Sequence, residues 1–330
     1  MRYAFVASAL IAGASAHGLI TSIEGANGVT MPGLSVADGT PRDCSSNGCG
    51  SQADTAIIRD RDIRSGRATA LGRTQGNGPI DAAAVISTFM GTNAKGASAP
   101  TNNGTQGAAG VEDDLSGLKN AAAQRRAEHK RQISNLFGGG NRNGGGGRAG
   151  GLGGLGGLLG GGGTGLSGLL GGGNAGNAND RAPESMVADT AGLGSSEGLP
   201  TASDSGEIKM VFRQINQDGA GPTTAEVDGT SGGTDPNAFQ TAEVTQDVPG
   251  LGIQGLSLAT NTDFPMTVKM PPGMTCDASV GGADNVCIVR VRNGAAAGPF
   301  GGSAAFTQSN AARKRAIAYR LKKRMALSRD

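Results

Sequence analysis

A chain of 330 residues could hold one or two domains, yet 60 glycines and an aromatic content of 3% mean that much of it cannot build a core. The net charge of +2 carries no case for nucleic acid, and no apolar run long enough to span a bilayer is present. Trp is absent and the two tyrosines are Tyr3 and Tyr319, so the central chain has neither Trp nor Tyr to stack on a sugar face.

Residues 1–16 read as a secretory signal peptide. Arg2 supplies the positive start, Ala4 to Ala12 the short apolar stretch, and Ala14-Ser15-Ala16 the small-residue cleavage site. Cleavage between Ala16 and His17 would make His17 the first residue of a secreted protein, extracellular or at the cell surface. An N-terminal histidine offers its α-amine and its ring as a chelate for copper. A second, rigidly placed histidine is needed to complete such a site.

Residues 17–110 read as the first part of a β domain. Gly18 to Glu24 is its opening strand and ends at Gly25-Ala26-Asn27-Gly28. Between positions 42 and 62, Asp43, Asp54, Asp60 and Asp62 alternate with Arg42, Arg59 and Arg61. That alternation reads as surface salt bridges more readily than as the paired carboxylates of a glycosidase. Cys44 and Cys49 form one close pair, Cys276 and Cys287 another, and both pairs are expected as disulfides, since neither shows the CxxC spacing of a zinc site. Asn103-Gly104-Thr105 is a glycosylation sequon in a polar loop.

Residues 111–199 read as an insertion. Val111 to Phe137 has helix-forming composition with acidic residues first and basic residues later, and carries the dibasic pairs Arg125-Arg126 and Lys130-Arg131. It also contains His129, the only other histidine, placed beside a glycine tract that makes it a poor partner for His17. From Gly138 to Gly173, 22 of 36 residues are glycine, whose large ordering entropy makes the tract a low-complexity linker.

Residues 200–310 return to strand patterns. Ile208 to Phe212 puts Ile208, Met210 and Phe212 on one face, and Ala242 to Val248, Phe264 to Met270 and Val286 to Arg292 repeat the pattern. The last run closes on Asn293-Gly294, a hairpin signal. The expected fold is all-β, an immunoglobulin-like β-sandwich interrupted by the helical and Gly-rich insertion. Residues 311–330 form a basic C-terminal helix or tail with eight Lys and Arg against one Asp, and with Ile317, Leu321 and Met325 spaced for one helical stripe. The tail reads as disordered or loosely docked, with membrane or nucleic-acid binding as the sharper alternative.

Four blocks carry a resemblance: Pro41 to Ile63, Gln214 to Pro222, Asp263 to Met270, and Asn285 to Gly302. With the leader followed by His-Gly, they are similar to the Egh/Mas family of fungal appressorium-associated secreted proteins. That resemblance implies a surface protein or virulence factor of fungi that penetrate their hosts. Such proteins often have histidine where Arg213 stands, a pairing with the N-terminal histidine that gives a distant similarity to copper-dependent lytic polysaccharide monooxygenases. They also tend to carry cysteines where Ala225, Val291 and Ser303 stand. Arg213 stays protonated and cannot ligate copper. The function expected is therefore that of a secreted, non-catalytic protein of fungal infection, with a host surface or fungal cell-wall component as partner and no cofactor. The alternative is a copper-dependent polysaccharide monooxygenase using His17.

Overall fold

The computed structural model describes residues 17–42, 52–92, 177–178, 182–216, 219–250, 257, 259–295 and 298–328, which all belong to one compact unit. Residues 1–16, Cys44, Cys49, Asn103, His129 and the glycine tract lie outside the described residues.

The strands, in chain order, are β1 (Gly18–Glu24), β2 (Thr30–Pro32), β3 (Ala56–Ile57), β4 (Arg73–Thr74), β5 (Gly78–Pro79), β6 (Asn177–Ala178), β7 (Thr201–Ala202), β8 (Glu207–Gln214), β9 (Thr223–Asp228), β10 (Phe239–Gln246), β11 (Thr262–Lys269), β12 (Ala278–Val280), β13 (Ala283–Asn293) and β14 (Phe300–Gln308). The helices are α1 (Asp60–Arg64), α2 (Ala82–Met90), α3 (Met186–Asp189), α4 (Gly194–Glu197) and α5 (Asn310–Leu327). The ladder runs β2-β1-β8-β11-β10-β9-β13-β14-β3-β4-β5, with β12, β6 and β7 attached at its sides. Every pairing is antiparallel except that of β7 with β14.

The sheet curls on itself as an antiparallel half-barrel. β1 and β14 are far apart along the ladder, yet they pack against each other across the curl. The close approach explains why β14 is so poor in side chains: a Cβ on Gly302 would lie 2.6 Å from the backbone nitrogen of Ile20. The core between the two halves takes Ile208, Met210 and Phe212 from β8 and Phe264, Met266 and Val268 from β11, the alternation of half-buried strands. β13 is buried continuously from Val286 to Val291, and α2 packs against it. Pro265 lies inside β11 without breaking the sheet. Its neighbour β8 pairs along the whole strand, whereas β6 and β10 reach only Thr262–Asp263 and Thr267–Lys269, so the missing N–H falls between them.

Two expectations changed in detail. Asn293-Gly294 does end β13, but the return strand starts only at Phe300, after a cis Gly298-Pro299 bond, so the connection is longer than a two-residue turn. The charged cluster is not wholly a surface network: Arg42, Asp54 and Asp62 are buried, whereas Asp60 and Arg61 are well exposed. Asp62 lies within ion-pair distance of Arg59, Arg61, Arg67 and Arg73, the closest being Arg67 at 2.6 Å. The basic C-terminal segment is a helix held along one face.

Candidate functional site

His17 is buried, with 1% of its surface exposed. Its backbone nitrogen donates to Asn216 Oδ1 at 2.6 Å, and Asn216 Nδ2 lies 3.3 Å from His17 Nδ1. With Oδ1 accepting from the backbone, Nδ2 is the donor, and Nδ1 accepts as in the Nε2–H tautomer. One carboxamide thus addresses both Nδ1 and the His17 backbone nitrogen, which is a peptide N–H in the full chain and would be the chelating α-amine only after cleavage before His17. The ring also packs against Phe300 at 4.4 Å between centroids.

The adjoining glycines explain the His-Gly sequence. A Cβ on Gly18 would lie 2.5 Å from the Phe212 ring, and one on Gly219 would lie 2.0 Å from the His17 carbonyl oxygen. Ile215 N–H donates to that carbonyl at 2.9 Å. The turn after β8 therefore closes over the start of β1, and Asn216 reaches His17 because that turn brings it there.

Arg213 stands two residues before Ile215 and opposite Leu19 in the β1–β8 ladder. Its Nε and Nη2 donate to the two oxygens of Asp263 on β11, at 2.7 and 3.0 Å. This bidentate pair is buried on the arginine side and mostly buried on the aspartate side. Nη1 has no hydrogen-bond partner among the described residues.

Arg213 and Asp263 line a cleft of about 640 Å³ on the β1–β8–β11 face, together with Ser22, Arg42, Glu184 and Pro265. Arg42 binds Asp54 through both guanidinium nitrogens, at 2.6 and 3.1 Å, and donates from Nε to Glu184 at 3.0 Å. Burial works to lower the Arg42 pKa, but the Asp54 and Glu184 carboxylates outweigh it and hold it above its ordinary value. Asp38 accepts from the backbone of Val187 and Ala188 at the start of α3, at 3.0 and 2.9 Å, which anchors the segment that walls the cleft. Val187 then packs with Leu19, Val36 and Ile215 as a second small core.

No group of three or more His, Cys, Asp and Glu side chains able to hold a metal ion occurs among the described residues. Cys276 and Cys287 form the expected disulfide, with their Cα atoms 4.8 Å apart. Ala225 and Val291 are buried cross-strand partners on β9 and β13, so small apolar side chains fill two of the positions the resemblance assigned to cysteine. Sequence reasoning missed Asn216 and the Arg42–Asp54–Glu184 cluster. Asn216 lies inside the block Gln214 to Pro222 with no motif that pairs it with His17, and Glu184 is joined to Arg42 across 142 positions.

The fold and this cleft define a β-rich domain whose N-terminal strand is locked in place by a turn carrying Asn216. The family model of Egh16-like virulence factors matches residues 15–301, and the chain belongs to that family. It is similar to the appressoria-specific virulence factor GAS2 of Pyricularia oryzae, with 48% identity over 309 residues, covering 94% of this chain and 89% of that protein. It is also similar to the appressoria-specific virulence factor GAS1 of the same fungus, at 38% identity over 129 residues, covering 38% of this chain and 50% of that protein. No solved structure matches the chain.

Proposed function

We propose that this protein is a secreted, non-catalytic virulence factor of the fungal appressorium, acting outside the cell on a host-surface or fungal cell-wall component. The observation that carries this reading is the likeness to GAS2 along nearly the whole chain. Its chemistry agrees. The position where a second copper-binding histidine was sought holds Arg213, engaged with Asp263, and His17 is engaged with Asn216. The cleft lined by Arg213, Asp263 and Glu184 is where a polar partner would be held.

Under this reading the leader is removed between Ala16 and His17, Asn103 carries a glycan, and Cys44–Cys49 closes a second bridge. The working unit is the β domain of residues 17–110 and 200–310; of the intervening 111–199, the described residues from 177 on join that domain through β6, Glu184 and Val187 and the remainder is the excursion, with 311–330 as a basic extension. Pairing of β1 with β8 and of β3 with β14 supports this division. An immunoglobulin-like sandwich is the finer form proposed for the curled sheet.

Two measurements test the proposal. Copper titration with electron paramagnetic resonance, on secreted protein whose first residue is verified as His17, should give no tight type-2 signal. A tight signal lost in His17→Ala would make the protein a copper enzyme instead. Retention on isolated fungal or host cell walls should fall roughly tenfold in Arg213→Lys, which keeps the charge but not the fork. Walls that retain neither protein would remove the proposed partner class.

A further inference from the structure

α5 is turned so that its apolar row faces water. Ser309 caps its start, accepting from the Ala312 N–H at 3.1 Å, and Ala312 and Ala316 are the residues it buries. The same side is fastened by arginines. Arg313 donates to the Cys276 carbonyl and to Asp277 at 2.5 and 2.6 Å, and Arg320 to the Gly273 carbonyl and to Thr275 Oγ1 at 2.5 and 2.7 Å. Small alanines let the helix lie close while the long side chains reach around it.

The opposite side carries Ile317, Leu321 and Met325, which are 44%, 53% and 59% exposed. These residues follow one another at intervals of four along the helix, so they form one ridge. Lys314, Lys322 and Arg324 flank it, all exposed and none in an ion pair among the described residues. Between Asn310 and Leu327 the helix has no acidic residue. A helix whose arginines were needed only for docking would not set an apolar ridge and three unengaged cations on its free side.

We infer that α5 is a docking surface for anionic phospholipid bilayers, held on the β domain with its inserting face outward. The chemistry of both components selects this occupant. Ile317, Leu321 and Met325 gain only where an apolar phase is available, and the surrounding cations gain only where that phase has a negative surface. A nucleic acid or an acidic polysaccharide would satisfy the cations and leave the ridge in water. A second copy would bring like charges together. The helix lies flat at the interface: its 18 residues include too many charges to cross a membrane, and no described helix is long and apolar enough to do so.

The test uses the full secreted chain and large vesicles of phosphatidylcholine with or without phosphatidylglycerol, separated by flotation. Binding is expected only with phosphatidylglycerol and should weaken as salt is raised. The triple change Ile317→Ser, Leu321→Ser, Met325→Ser should weaken it at least about tenfold. Lys322→Glu with Arg324→Glu should do the same. Because these positions point away from the core, both variants should keep the thermal transition of the parent, which separates loss of binding from loss of fold. Two results would overturn the inference: no binding to phosphatidylglycerol vesicles, or binding that the serine variant retains in full. The second would mark α5 as a general polyanion binder, to be verified with dextran sulfate.

Discussion

Asp228 shows how one buried side chain organises a turn. It is fully buried at the end of β9, where Oδ1 accepts from the Thr230 and Ser231 N–H groups and Oδ2 from Ser231 Oγ and the Gly233 N–H. Gly232 and Gly233 have φ of +67° and +86°, which lets the chain fold back over the carboxylate. Burial raises its pKa, but the hydrogen bonds from Ser231, Thr230 and Gly233 prevail and hold it below the ordinary carboxylate value. A carboxylate with a lowered native pKa stabilises the fold above its unfolded pKa, near 4, and the stabilisation is lost as pH falls through the native value. Chemical denaturation from neutral pH down to the acid range should therefore show falling stability, with a shallower fall in Asp228→Asn. At neutral pH that variant should be about 1–3 kcal/mol less stable, since it puts a donor where only acceptors fit. A variant with the parent's acid profile would remove Asp228 from that role. Little of this is legible beforehand. Asp228-Gly229 reads as a turn, but the Ser231 and Gly233 contacts depend on the loop's own path. His17 is similar: attention falls on it from its place behind the expected leader, whereas its Asn216 partner could not be read.

At the scale of elements, alternation made some strands legible and small residues hid others. β1 has the limits expected of it, β8 and β13 contain the runs that marked them and β11 contains all of its run but Met270, because Ile, Met, Phe and Val at every second position declare a buried face. β14 (FGGSAAFTQ) gives no such signal. Its glycines and alanines are what a strand needs when another strand crosses it closely, a requirement set by tertiary structure alone. Gly302→Val should consequently lower stability by about 1–3 kcal/mol, because its Cβ meets the Ile20 backbone and no flexible side chain can yield. Urea unfolding of the variant checks this, and an unchanged midpoint would mean that the two strands can separate freely. The C-terminal helix was legible as an amphipathic pattern but not in its orientation. Three apolar residues at fourfold spacing ordinarily mark the buried side, and here Ala312 and Ala316 take that place.

For the whole molecule, the governing feature is the distance in sequence between strands that touch. β1 lies between β2 and β8, β8 lies between β1 and β11, and β14 crosses β1 while joining β13 to β3. The family blocks and the strand patterns made the class of protein readable, but a ladder of this order is beyond periodicity, which sees neighbours only. The Cys276–Cys287 bridge stays local, across a separation of 11, so it ties β13 to the segment before β12 and leaves the long closures to packing. A chain ending at residue 299 would lack β14 and with it the partners of β13, β3 and β7. Such a chain should show no cooperative thermal transition and should be digested rapidly by protease; a resistant, cooperatively melting fragment would contradict the role given to β14.

The His17–Asn216 contact spans 199 positions, and this sets an order of events during synthesis. The ribosome delivers first the strand that the sheet encloses among the last. β1 must wait, unpaired on its β8 side, while the intervening chain emerges, and it is covered only when β14 arrives near the end. Folding of this kind is slow and cannot advance from the N terminus as the chain grows. The protein's early life is therefore spent with an apolar strand exposed, and its yield depends on whatever keeps that strand from finding another edge first.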